Sequence, residues 1–139
     1  MKLSGDRKAL VAILVAYLVA DFFLTPLGGL EVRPVADVTV VGDISLGMIF
    51  GGAILAIVSL VLLLLGRGPA PTMATIAAVL FLPGFLADQT GNFSKLHSPT
   101  AIFWLEWVQV LIAAGMIVLS MRARREGTPD PQPGRRRSP

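Results

Sequence analysis

The sequence predicts an all-α integral membrane protein, a four-helix bundle with both termini on the cytoplasmic side. Three observations carry that expectation. Of the 139 residues, 54% are hydrophobic and only 15% are charged, with a mean hydropathy of +0.73. A soluble domain carries about 25% charged residues, so lipid must serve as part of the solvent here. The apolar residues gather into four runs parted by short polar breaks, and the basic residues collect on one side of those runs.

The first run spans about 9–30, and its stretch "AYLVADFFLTPLGG" is interrupted by a single carboxylate, Asp21. Gly28 and Gly29 weaken its end. Its basic start followed by an apolar core resembles a signal peptide, but the apolar stretch resumes after Asp21 without a small-x-small cleavage site, so it reads as a retained span. The second run, about 44–65, contains no charge, and Asp43 stands where an N-cap would. The third, about 72–87, is short for a core that takes roughly 20 helical residues to cross. It reaches that length by starting at Pro71 and running to Asp88, or it thins the bilayer locally. "GRGPAP" makes a tight turn before it. The fourth run, about 100–121, follows Ser98-Pro99, with the proline placed to open a helix. Residues 1–125 form the helical domain, and the Pro-rich, charged tail at 126–139 reads as disordered.

Ten basic residues (Lys2, Arg7, Lys8, Arg67, Arg122, Arg124, Arg125, Arg135, Arg136 and Arg137) lie on one side of the runs. Only Arg33 and Lys95 lie on the other. The positive-inside rule therefore places both termini in the cytoplasm and Trp104 and Trp107 near the outer interface. The same placement explains the net charge of +3 and pI of about 10.0 without nucleic acid. Absence of cysteine excludes disulfides and thiolate chemistry. A single histidine, His97, makes a poor metal site, and no cofactor motif is present. The acidic outer residues Glu31, Asp37, Asp43 and Asp88 read as a solvated surface. "VTVV", Val38–Val41, reads as a short extended piece there, and "NFS", Asn92–Ser94, fits a glycosylation sequon.

The candidate site is a polar pocket in the outer half. Asp21 lies roughly 20 Å along the first helix from Lys8, and Glu106 roughly 9 Å into the last, so the two can share a depth. Tyr17, Asp21 and Thr25 fall on one helical stripe, as do Glu106 and Gln109. Carboxylates facing lipid cost a few kcal/mol, so both stripes should face inward. Pro26 frees the carbonyl of Phe22 and would kink the helix above Asp21. With no basic residue inside a span, the two acids stand protonated, share a proton, or bind a cation entering from outside. Arg33 or Lys95 reaching down from the loops is a fourth arrangement. The bland counterpart is interhelical hydrogen bonding, about 1 kcal/mol per pair. Small residues at helical spacing in the second run, Gly47, Gly51, Gly52 and Ala56, support close helix packing within the bundle or between copies.

The outer-loop stretch "HSPTAIFWLEW", the glutamate six residues into the last helix and the basic tail after it resemble the small four-helix DoxX-like bacterial membrane proteins. The resemblance runs from Ala9 to Arg125 and implies a four-span fold, with Glu106 as a shared feature. Some members of those families resemble membrane subunits of quinone-linked oxidoreductases, although a chain without cysteine has no thiol redox role. The first expectation is a bacterial plasma-membrane protein serving as an accessory or scaffold subunit of a larger assembly. The second is a proton- or cation-coupled carrier or channel built on Asp21 and Glu106, acting as a homo-oligomer. No nucleophile–base pair, phosphate loop or metal centre marks an enzyme.

Overall fold

The structure, a computed structural model, describes residues 4–126. It is all-helical: α1 (Gly5–Phe23), α2 (Val40–Leu64), α3 (Ala70–Gln89) and α4 (Thr100–Glu126). α2, α3 and α4 are each long and apolar enough to cross a membrane. α1 carries Asp6, Arg7, Lys8 and Asp21 within its 19 residues.

The helices form a ring in chain order, with α2 on α3, α3 on α4, α4 on α1 and α1 on α2. The reason lies in their buried seams. α1 buries Leu10, Leu14, Tyr17 and Asp21, and α4 buries Ile102, Glu106, Gln109, Ala113, Met116, Ser120 and Ala123. These steps of three and four average 3.5 residues, the repeat that keeps one stripe facing a neighbour along a whole helix. α2 follows the same rhythm with Gly42, Ser45, Gly52, Ala56, Ser59 and Leu63. α3 answers with Ala70, Ala74, Ala77, Phe81, Gly84 and Asp88. Because the α2 and α3 seams are mostly small, their backbones approach closely. A Cβ on Gly52 would lie 3.1 Å from the Ala77 carbonyl oxygen, whereas one on Gly47 would meet nothing within 4 Å. Gly52 and Ala56 therefore lie in the α2–α3 contact, Gly51 at its margin, and Gly47 on the exposed side.

The α1–α2 and α3–α4 connections meet at one end of the ring, called here the loop end; the chain termini and the α2–α3 turn occupy the other, the terminal end. The two connections are stitched together. Thr39 N donates to Phe93 O at 3.0 Å, Lys95 N donates to Asp37 O at 2.9 Å, and Val38 and Ser94 form an isolated antiparallel bridge. The Ser94 hydroxyl donates to Asp37 O at 3.2 Å, so this serine of the Asn92–Ser94 sequon is buried and engaged.

Several boundaries differ from the sequence reading. The first helix stops at Phe23 instead of continuing to residue 30. Pro26 opens a 3₁₀ turn, Pro26–Gly28, rather than kinking a helix. The Phe22 carbonyl is satisfied locally by the backbone N–H of Thr25 at 3.1 Å and the Thr25 hydroxyl at 2.7 Å. Thr25 thus lies beyond α1 and leaves the Tyr17–Asp21 stripe. Thr39, not Asp43, caps α2: its hydroxyl accepts from Gly42 N at 3.0 Å, which draws Val40 and Val41 into the first turn despite their preference for extended backbone. Only Val38 of "VTVV" pairs as extended chain. α3 starts at Ala70 and reaches Gln89, long enough to cross without thinning a bilayer. α4 continues past Met121 to Glu126, so the first residue of the expected tail is helical and the remainder of 126–139 lies outside the described residues.

Candidate functional site

The polar groups of the core occupy two levels. At the loop end, Arg33 descends from the α1–α2 connection and is only 9% exposed. One edge of its guanidinium grips Glu31: Nε donates to Oε1 at 3.0 Å and Nη2 to Oε2 at 2.6 Å. The other edge grips Asp88 at the end of α3: Nη1 donates to Oδ1 at 2.5 Å and Nη2 to Oδ2 at 3.0 Å. The Phe93 ring lies beneath, 5.0 Å from the guanidinium carbon, close enough for cation–π attraction. Burial alone pulls the arginine's pKa down, but the hydrogen bonds and charges of Glu31 and Asp88 outweigh it and hold it above its ordinary value. Its positive charge is therefore constant at every accessible pH.

Glu106 of α4 completes this level. Gln89 Nε2 donates to Glu106 Oε2 at 2.9 Å, and the carboxyl faces Asp88 and Arg33 across the α3–α4 contact. Among the described residues the salt bridges of this cluster join Arg33 to Glu31 and to Asp88, and none reaches Glu106. Three carboxyl groups thus surround one guanidinium.

About one turn deeper lies the second level. Gln109 Nε2 donates to Tyr17 O at 3.2 Å, tying α4 to α1, and the Tyr17 hydroxyl crosses the ring to donate to Ala77 O of α3 at 3.2 Å. Asp21 is 5% exposed. Its Oδ1 and the Gln109 Oε1 are both buried with no hydrogen-bond partner among the described residues. Beyond this level the terminal half of the core is closed by Leu10, Leu14, Leu63, Ala74 and Met116, all fully buried.

Of the five residues expected in the pocket, Tyr17, Asp21, Glu106 and Gln109 are buried in the bundle, and Tyr17 and Gln109 are hydrogen-bonded to each other. Asp21 and Glu106 share no hydrogen bond: Glu106 turns to Gln89, and Asp21 remains on the deeper level. Thr25 is partly exposed and spends its hydroxyl on Phe22 O. One expectation is corrected, and the fourth arrangement is the one found at Glu106. Glu31 and Asp88 are not surface solvation but the ligands of a buried arginine. A cation does stand beside Glu106, because the loop carrying Arg33 folds inward while Lys95 stays exposed. Sequence reasoning passed over Gln89, took Glu31 and Asp88 for solvated surface, and held Arg33 only as the fourth arrangement. The available signal was the acid on either flank: a lone loop arginine two residues from one carboxylate and facing the end of a span that closes on another.

Three hollows surround the upper level. A cavity of about 30 Å³, room for about two waters, is lined by Glu106, Arg33, Glu31, Phe81 and Ile102. Beside it an apolar groove of about 280 Å³ runs between the end of α1 and the first turns of α2, with Leu24, Pro26, Val38, Leu46 and Phe50 as walls. The two share Leu24, Glu31, Arg33, Leu46, Phe50 and Phe93. On the α3–α4 side a polar pocket of about 390 Å³ is lined by Asp88, Gln89, His97 and Ser98. Among the described residues no group of three or more His, Asp or Glu is arranged to hold a metal ion.

Compared with known protein families, characterised proteins and solved structures, the chain matches none. The chemistry open to the site is consequently what its own groups allow: binding a proton or a cation at an acid-rich cluster, and fixing the geometry of four helices.

Proposed function

We propose that this chain is a four-span protein of a bacterial plasma membrane, with both termini cytoplasmic, serving as an accessory or scaffold subunit of a larger membrane assembly. The observation that carries the subunit reading is the terminal half of the core, where Leu10, Leu14, Leu63 and Met116 are fully buried and the buried polar side chains among the described residues are the isolated hydroxyls of Ser59 and Ser120, with no further carboxylate, amide or basic group in line with the carboxylates. A carrier needs a polar route through that half; a subunit needs only a firm bundle and an apolar exterior, and Ile44, Phe50, Ile54, Ile57, Val61 and Leu65 of α2 and its end supply one. The bias of basic residues supports the orientation, with the loop end outermost. The resemblance to DoxX-like proteins points the same way.

The second reading, a proton- or cation-coupled carrier or channel, is favoured by the two unpartnered acceptors, Asp21 Oδ1 and Gln109 Oε1. Buried acceptors without donors are costly unless a proton or cation joins them. Four helices are few for a carrier, so this reading requires several copies. Reconstitution in liposomes separates the two. On the subunit reading the wild type passes no proton or cation flux, and partner proteins copurify from native membranes. Flux in the wild type that disappears in Asp21→Asn and Glu106→Gln establishes the carrier instead.

A further inference from the structure

We infer that Asp21 carries a resident proton and donates it to the Gln109 amide oxygen, so that a neutral acid–amide bond bolts α1 to α4 inside the core. Two oxygens lead there. Asp21 Oδ1 and Gln109 Oε1 are both buried without a hydrogen-bond partner, in residues 5% and 0% exposed. They belong to one place. Gln109 Nε2 donates to the carbonyl of Tyr17, one helical turn before Asp21 in the buried seam of α1. A helical side chain leans back over the turn N-terminal to its own Cα, so the Asp21 carboxyl lies toward the turn that Gln109 touches. The neighbouring donors point elsewhere: the Tyr17 hydroxyl to Ala77 O, Gln89 to Glu106, and both edges of Arg33 to Glu31 and Asp88. Exchanging the ends of the Gln109 amide gains nothing, because its oxygen would then meet the Tyr17 carbonyl.

Water, a metal cation or a proton can reconcile two such oxygens. Water needs room of its own, and neither residue lines any of the three hollows described above. A metal cation needs several oxygen ligands, and among the described residues no acidic group of that size is assembled. A proton needs neither. It makes Asp21 a donor, and a single O–H then engages both oxygens. The charged groups on the surrounding elements do not supply a substitute. Arg33 is engaged by Glu31 and by Asp88 of α3, Glu106 of α4 is itself acidic, and the buried seam of α2 holds no titratable group. A neutral Asp21 also leaves residues 9–23 of α1 free of charge, which spares the cost of a carboxylate inside a membrane. The inference takes up the acceptors that favour the carrier reading but does not rest on it, since a proton held at rest serves a subunit equally.

The test uses the full chain at pH 7, with infrared difference spectra in phosphatidylcholine nanodiscs and denaturant titration in a non-ionic detergent. Subtracting the spectrum of Asp21→Asn from that of the wild type should leave the C=O stretch of a carboxylic acid and no carboxylate bands. Gln109→Leu should move that stretch to higher frequency, because the acid has lost its acceptor. Asp21→Asn, which keeps an N–H donor in the same place, should keep the wild-type unfolding midpoint. Asp21→Ala, which removes the donor, should lower the folded-to-unfolded ratio by about 3- to 10-fold. It also supplies the subtraction if the amide variant fails to fold. Carboxylate bands in the difference spectrum overturn the proposal, as does an acid stretch that Gln109→Leu leaves in place. An Asp21→Ala variant no less stable than the wild type also overturns it, the outcome for a buried charge without a partner. So does wild-type stability that rises when sodium or potassium replaces N-methylglucamine, the outcome for a bound cation.

Discussion

Arg33 presents two edges of a planar cation to two carboxylates, an arrangement that a lysine cannot copy. Arg33→Ala would leave Glu31 and Asp88 buried beside Glu106 without a counter-charge. The expected loss is about 3–5 kcal/mol, the usual result of removing one partner from a buried pair, measured by denaturant titration in a non-ionic detergent. Arg33→Lys should recover less than half of it. Because Glu31 and Asp88 raise the arginine's pKa, the sign of any pH effect follows directly. A raised folded value adds stability that is fully present below the arginine's ordinary value and is lost only as the pH climbs through the raised one. The arginine itself should therefore stay charged throughout the accessible range, so the stability difference between wild type and Arg33→Lys should be the same at pH 6 and at pH 8 in the same assay. Tyr17→Phe removes one neutral interhelical bond, to Ala77 O, and should cost only about 0.6–1 kcal/mol in the same assay. These residues were unequally legible in the sequence. A carboxylate in the middle of an apolar run stands out by contrast, so Asp21 and Glu106 were visible. Arg33 lies in a loop, where charge is ordinary, and only the folding of that loop into the bundle end gives it meaning.

At the scale of the helix, the seams were readable and the ends were not. Steps of three and four along each apolar run follow from helical geometry, and the small residues of α2 declared which neighbour could come close. Helix ends are decided by single hydrogen bonds, and two threonines settled them here. Thr39 accepts from Gly42 N and starts α2 four residues before the run's apparent start; Thr25 serves the Phe22 carbonyl just past the point where α1 closes. The α2 glycines give a graded prediction. Gly42→Ala sets a methyl against the Phe93 backbone carbonyl and the Val38 side chain, neither free to retreat, and should destabilise by about 2–3 kcal/mol. Gly52→Ala meets Ala77 O at 3.1 Å and should cost about 1 kcal/mol. Gly47→Ala meets nothing and should be neutral or stabilising by up to about 1 kcal/mol. A different order of unfolding midpoints would refute the α2–α3 packing described above.

For the molecule as a whole, composition and the apolar runs pointed to an all-helical chain, and three of its four helices are long and apolar enough to cross a bilayer; the placement of basic residues adds an expected orientation. The orientation that follows is open to direct measurement, since the sequence contains no cysteine to remove. Lys95→Cys should react with an impermeant maleimide added to intact cells, and Arg67→Cys only after the membrane is opened. The reverse pattern would invert the topology. The sequence could not disclose how the two loop-end connections engage each other, because pairs such as Val38 with Ser94 are more than fifty residues apart and share no local signature.

That engagement constrains how the molecule can move. Backbone bonds from Thr39 to Phe93 and from Lys95 to Asp37 sew one crossover to the other, so the two hairpins cannot separate there without tearing the seam. The short α2–α3 turn fastens the same two hairpins at the opposite end, so α2 and α3 are buckled together like a strap at both ends, and the slack in the ring falls on the thinner contact of α1 with α2.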